Sequence, residues 1–318
     1  MRSSFGVTTA SSLIAIAAAS LVAVSACSSD EAPVVVDPPC ALTAPGPSSR
    51  FFVLSRLVPS VPDSMGDPNV LTGVDVDHHV TADTGGDPIG CGFVDYRSPA
   101  PGDATGVDAQ LGQLLQATAG SCDVAGLLAQ NIHDGRVVLL VELSQVDDYV
   151  CDHEVSVDVY LGRLPTGVAA PILDASGLIA PGQTFDLDPG SLSSDGRALA
   201  HSDARIAEGI VIAPGLSLNI PIYDLTHGAA IAGLRDAELR LPLSVSAGID
   251  NAVLGAGISV SDVISLVDVL CPGPTDILRV VLDGQADLAP DATGVCRSIS
   301  IGFEVSGVAA VRGVTASP

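Results

Sequence analysis

Hydrophobic residues recur along this chain at two spacings, and the shorter one dominates. In EVSVDVYLGRL (Glu154 to Leu164), Val155, Val157, Val159 and Leu161 alternate with Ser156, Asp158 and Tyr160. Period two of this kind predicts a strand with one buried face. FFVLSRL (Phe51 to Leu57) has the density of a first strand, and RVVLLVEL (Arg136 to Leu143) is a strongly β-prone run. Beyond Pro165 the chain breaks into short β-prone runs separated by Gly, Pro and Asp: TFDLD, ARIAEGIVIA, LSLNIPIYD, AAIAGL, AELRLPLSVSA, AVLGAGISV and the closing SISIGFEVSGVAAV. Pro221 and Pro242 fall inside two of these runs and predict sheet edges or bulges there.

Helical spacing is rarer. In VDAQLGQLLQAT, Val107, Leu111, Leu114 and Leu115 share a face. In CDVAGLLAQNIHDG, Val124, Leu127, Leu128 and Ile132 do the same before Gly135. The pair predicts a helical hairpin lying on a sheet. VSDVISLVDVL and DILRVVLDGQADL also read as helices. The expected fold class is mainly β: an antiparallel, β-sandwich-like architecture with a helical hairpin and a few short helices packed on it.

The N-terminus carries a different pattern. Arg2 precedes LIAIAAASLVAV (Leu13 to Val24), an apolar run too short to span a bilayer but suited to an export signal. It ends Val24-Ser25-Ala26-Cys27, which resembles a bacterial lipobox. The expectation is a signal peptide over 1–26 and a mature chain starting at Cys27, acylated with palmitate-type lipid. Ser28, where an Asp would favour inner-membrane retention, fits outer-membrane sorting. Residues 27–50, rich in Pro, Ser, Ala and Asp, read as a tether. Residues 51–318 then form the β-rich globular region, with a candidate sub-boundary near 165. The lipid is the expected membrane partner, on the periplasmic face or the cell surface.

Composition narrows the function classes. The formal charge is −24, from 37 acidic and 13 basic residues, and all the basic ones are Arg. So negative a surface repels nucleic acid, and no basic stripe offsets it. Aspartate outnumbers glutamate about five to one, which favours turns and caps over helix interiors. Six cysteines follow Cys27: Cys40, Cys91, Cys122, Cys151, Cys271 and Cys296. In an exported chain an even set predicts up to three disulfides. Sequence proximity favours Cys271–Cys296, with Cys91 to Cys122 or Cys151 as a second expectation.

The candidate chemistry is concentrated in GVDVDHHVTADTGGD, Gly73 to Asp87. Counting Asp75 as position 1 of an EF-hand, Asp77 and Asp83 fit, but His79, Val80 and Gly86 occupy positions that need an oxygen ligand, a glycine and a bidentate glutamate. The motif is rejected. Adjacent His78 and His79 without a third ligand also make a poor zinc site. A non-EF calcium site built from Asp75, Asp77, Asp87, Asp95 and Asp108 stands as the candidate, against a simple solvated loop. There is no GxSxG elbow, SxxK motif or phosphate loop, and His133, His153, His201 and His227 are scattered.

The elements Gly73, Asp75, Asp77; Asp87, Pro88, Gly90, Cys91; Asp95; Ser98-Pro99; and Gly106 to Leu111 follow one another in an ordered pattern. With LLVEL, LGRLP, GLIAPGQTFDLD and GVCRSISIGFE downstream, they resemble a family of secreted lipoproteins of myxobacteria and related Gram-negative bacteria. The likeness covers most of the mature chain. Two positions depart: His78 stands where the family pattern has glycine, and Ala109 where it has asparagine. The resemblance implies location and fold texture but no activity. The resulting expectation is an outer-membrane-anchored lipoprotein with a structural or binding role, not an enzyme, with calcium at the acidic loop. An exported hydrolase without a recognisable motif is the alternative.

Overall fold

The computed structural model describes residues 48–62, 67–81, 91–99, 105–118, 123–224, 226–243, 248–270 and 280–315. All belong to one compact unit, Cys40–Pro318. The signal, most of the tether, Asp87, and Cys27, Cys40, Cys122 and Cys271 lie outside the described residues.

The strands are β1 (Ser48–Pro59), β2 (Tyr96–Arg97), β3 (Thr105–Val107), β4 (Val138–Val146), β5 (Asp152–Arg163), β6 (Thr184–Leu187) and β7 (Ala200–Ala207). There follow β8 (Ile210–Asp224), β9 (Gly228–Pro242), β10 (Gly248–Ser259), β11 (Leu288–Pro290), β12 (Cys296–Ala309) and β13 (Val311–Thr315). The helices are α1 (Leu111–Thr118), α2 (Val124–His133) and α3 (Val260–Leu270). The fold is mainly β and sandwich-like, as the period-two pattern predicts.

One eleven-stranded sheet runs β13-β6-β5-β4-β1-β12-β10-β9-β8-β7, with β11 added beside β12. A further pairing, β5 with β7, closes the path into a ring of antiparallel neighbours. Closure removes most free strand edges, which otherwise invite pairing between molecules. β5 achieves it by sharing one edge: Asp152 to Val159 pairs with β7, and Gly162–Arg163 pairs with β6. Strands from either side of residue 165 therefore share one sheet, and no sub-boundary falls there. Proximity in space, through β1–β12 and β5–β7, overrides the change in sequence texture.

The interior is aliphatic and small. Val53, Leu140, Val141, Val157, Ala213, Leu216, Ala237, Leu241 and Ile249 are all fully buried, joined by Phe52 and Phe185. α1 packs against β12, and α2 against β1 and β8. Asn131, buried on α2, clasps Tyr223 of β8 through both its N–H (2.8 Å) and its carbonyl (2.8 Å).

Several runs resolve differently from their sequence reading, each for a local reason. ARIAEGIVIA is not one strand. Glu208 and Gly209 both take positive φ (52° and 78°), so the run is a tight hairpin joining β7 to β8. AAIAGL and AELRLPL, read apart, are one strand, β9, kinked at Asp236 (φ 49°). The helical reading of DILRVVLDGQADL holds for Val280 to Asp283 among the described residues and then gives way to a turn. Pro221 lies on β8 beyond its pairing with β7, on a free edge where no N–H is needed. The recurring Asp-x-Ser/Thr-Gly strings are turn signals. Asp291 accepts from Thr293 N (2.8 Å) and Val295 N (3.1 Å), and Asp174 accepts from Ser176 N (2.8 Å) and Leu178 N (3.1 Å). Gly294 and Gly177 supply the positive φ in each.

Candidate metal centre

A pair of glycines positions the acidic loop. Gly255 of β10 and Gly302 of β12 face each other in register and leave a groove on the sheet. The chain at Thr72 to Val74 lies in that groove so closely that a Cβ on Gly302 would collide with the Thr72 carbonyl, and one on Gly255 with Val74. The crossing is fixed by Ser60 N donating to Gly302 O (2.8 Å) and Thr72 N to Ser60 Oγ (2.9 Å). Val74 then pairs with Asp108, whose N–H donates to Val74 O at 2.9 Å. Leu71, Tyr96, Val107 and Ala109 form a small apolar cluster beneath the loop.

The same contacts draw the aspartates together. Asp75, Asp77 and Asp108 each offer a carboxylate oxygen to a group whose members lie within 4.8 Å of one another. The loop folds around these carboxylates. Asp108 Oδ2 accepts from Val76 N (2.7 Å) and Asp77 N (3.3 Å). His79 N donates to both Asp75 Oδ1 (3.0 Å) and Asp77 Oδ1 (2.9 Å). Asp95 joins from the next segment, accepting from Thr81 N at 2.5 Å and returning its own N–H to Thr81 O at 3.1 Å. The Thr81 hydroxyl, on a residue 2% exposed, has no hydrogen-bond partner among the described residues.

A narrow pocket lined by Asp77, Asp95, Asp108 and Asp287 connects the cluster to a polar chain behind it. Asp287 accepts from the Ser300 backbone (2.7 Å) and from its hydroxyl, while Ser300 Oγ accepts from Gln110 N (2.8 Å). Gln110 in turn donates to Gln285 (2.6 Å) and accepts from Tyr96 OH (3.1 Å). Ser300 is fully buried and Asp287 nearly so.

Burial dominates the electrostatics of this region. It pushes the Asp108 carboxyl up to about 8, with the charge of Asp77 adding to the effect and the Val76 N–H opposing it. Desolvation likewise raises Asp287 to about 7 despite its two bonds from Ser300, and Asp95 to about 6 despite Thr81 N. Asp77 is raised by the same burial and by its neighbour Asp75. Four buried or half-buried carboxylates in mutual repulsion form a region that a hard divalent cation would stabilise. Oxygen-only donors suit Ca²⁺ or Mg²⁺ over zinc or copper. The arrangement could hold a metal.

Of the residues expected at the site, Asp75, Asp77 and Asp108 converge, Asp95 borders them, and Asp87 lies outside the described residues. The histidines are not part of the group: His78 is exposed and turned by a positive φ of 58°, and His79 contributes its backbone N–H. Asp287 and Ser300 are additions that sequence reasoning missed. They lie about two hundred positions from Asp75, and Asp287 falls in a run that reads as the end of a helix.

The disulfide expectation is corrected here. Cys296 bonds to Cys91, not Cys271, across 205 positions with Cα atoms 6.1 Å apart. Cys296 opens β12, the strand over which the loop crosses, so the crossing delivers Cys91 to it. Cys151, also disulfide-bonded, is therefore not the partner of Cys91. Cys91 to Cys122 falls by the same bond.

No family model, curated protein or solved structure matches the chain. Among the described residues no helix is long and apolar enough to cross a membrane. The site itself must carry the functional argument.

Proposed function

We propose that the chain is an exported lipoprotein, held at the outer membrane by lipid on Cys27, whose closed β domain serves a structural or binding role and carries a calcium ion in its acidic loop. The observation that carries the calcium reading is the convergence of Asp75, Asp77 and Asp108 within 4.8 Å. Charge density supports it, because Asp108 and Asp287 are buried beside Asp77 and Asp95, where a divalent ion would offset the repulsion. Calcium fits better than magnesium because it tolerates the irregular geometry of a folded-over loop and takes carbonyl oxygens beside carboxylates. Its role in this reading is to lock the loop onto the Gly255–Gly302 groove, much as the Cys91–Cys296 bond does from the other end of the segment.

The anchor reading is supported by the Val24–Cys27 string and by the resemblance to secreted lipoproteins. Thermal melting in calcium against chelator tests the metal. At calcium one hundred times the dissociation constant, binding stabilises by about 2.7 kcal/mol. For a domain of this size that corresponds to a rise of roughly 5–10 °C in Tm. Superimposed melts would eliminate the ion. Mass spectrometry of the exported protein tests the anchor, with the expected finding a mature chain that begins at acylated Cys27.

A further inference from the structure

A second cavity lies away from the acidic loop and shares none of its lining residues. It forms where two strands part. β1 pairs with β4 only as far as Val53–Leu140, whereas its pairing with β12 continues to Pro59–Phe303. The far half of β1 thus has one free edge. α2 packs beside that edge, and the turn bridged by Leu173 and Ile179 borders the gap. Together they border a cleft open to solvent with a volume of about 440 Å³, within the range of small-molecule sites.

Its chemistry is unlike that of the surrounding surface. Val58, Leu173 and Leu178 present partly exposed aliphatic surface over the buried Leu57, Ile132 and Ile179, and the titratable side chains are Arg56 and His133, the latter 3.6 Å from Asp134. Among the described residues no carboxylate lines it, although the chain has 37 acidic residues. Arg56 is bound to Glu304 at 3.3 Å, but both side chains are about half exposed (49% and 50%). Such a pair is weak and can be exchanged for another anion. A mainly apolar cleft with an arginine at its rim matches a ligand with an apolar chain and an anionic head.

We propose that this cavity binds a medium-chain monocarboxylate, with the alkyl chain between β1 and α2 and the carboxylate at Arg56. Isothermal titration of the full chain with octanoate, decanoate and dodecanoate, below their micellar concentrations and at physiological salt, tests it. The expected result is saturable one-to-one binding that tightens about four-fold per added methylene. Decyltrimethylammonium should bind at least about ten-fold more weakly than decanoate, because its charge meets Arg56. Ala129→Trp, at an exposed position of α2 that lines the cavity, should fill the space and abolish binding. Gln130→Trp provides the same block should the first variant fail to fold, with circular dichroism reporting the fold of each. Absence of saturation, affinity independent of chain length, equal binding of the cationic analogue, or folded tryptophan variants that bind like the parent would each overturn the proposal.

Discussion

Asn in place of Asp108 keeps an acceptor for the Val76 N–H but removes a charge from a residue only 5% exposed. The ordinary carboxyl titrates near 3.8, whereas burial raises this one to about 8 in the folded protein. The folded state therefore holds the proton more tightly than the unfolded chain. The associated stability is full below about pH 4 and is lost as pH rises toward 8. At about 1.4 kcal/mol per pH unit of separation, the ion-free site costs on the order of 4 kcal/mol at pH 7. Asp95, raised to about 6, and Asp287, raised to about 7, act with the same sign over pH 4–7. Carboxylates held down by hydrogen bonds act oppositely and elsewhere: Asp224, lowered to about 2 chiefly by Thr226, loses its contribution only below pH 4. The window from pH 4 to 8 thus belongs to the cluster. Urea unfolding in chelator across that window should show parent stability falling with pH. Asp108→Asn should flatten part of the slope and be the more stable protein at pH 7.5, by up to about 5 kcal/mol on the same conversion. Calcium at one hundred times its dissociation constant should narrow the gap by about 2.7 kcal/mol, because only the parent keeps the full set of carboxylates. A parent protein that gains stability from pH 4 to 8 in chelator, or a variant weaker than the parent at pH 7.5 without calcium, would refute the reasoning.

Three further substitutions probe how the loop is held. Gly302→Ala puts a Cβ against the Thr72 carbonyl; it should cost about 1–3 kcal/mol in urea unfolding and abolish the calcium-dependent rise in Tm. His78→Gly relieves a left-handed backbone at φ 58° and should raise stability by about 0.5–1 kcal/mol, read as a small increase in Tm with calcium affinity retained. Cys91→Ser together with Cys296→Ser releases a cross-link spanning 205 positions; chain entropy assigns it about 5 kcal/mol, and an unchanged unfolding midpoint would show that the bond does not restrain the unfolded chain.

Much of the fold is legible in the residues themselves. Val155, Val157 and Val159 of β5 all face the core as their alternation predicts, although Ser156 and Tyr160 on the opposite face are buried as well, which period two does not foretell. Asp75, Asp77, Asp95 and Asp108 stand out because carboxylates are seldom crowded without a reason. His78 gains meaning from the structure: its backbone is left-handed, a conformation that glycine adopts far more readily than histidine. What periodicity conveys is which side of a strand is buried; it carries no information about which strand lies alongside.

Tertiary structure decides the rest. Closure through β5–β7, the bond between Cys91 and Cys296, and the meeting of Asp287 with the acidic loop all join positions far apart in the chain. The acidic loop reaches its place through the Gly255–Gly302 pair on β10 and β12, where two missing side chains let a distant segment lie against the sheet. A glycine in sequence signals only that a side chain is absent. Whether that absence serves a turn, a bulge or the seat of another segment depends on the register of strands, which long-range packing sets. The sequence therefore determined export-type patterning, a β-rich core and a suspicious density of aspartate. Only the folded chain decided which aspartates meet, how deeply they are buried, and so how strongly they would welcome a cation.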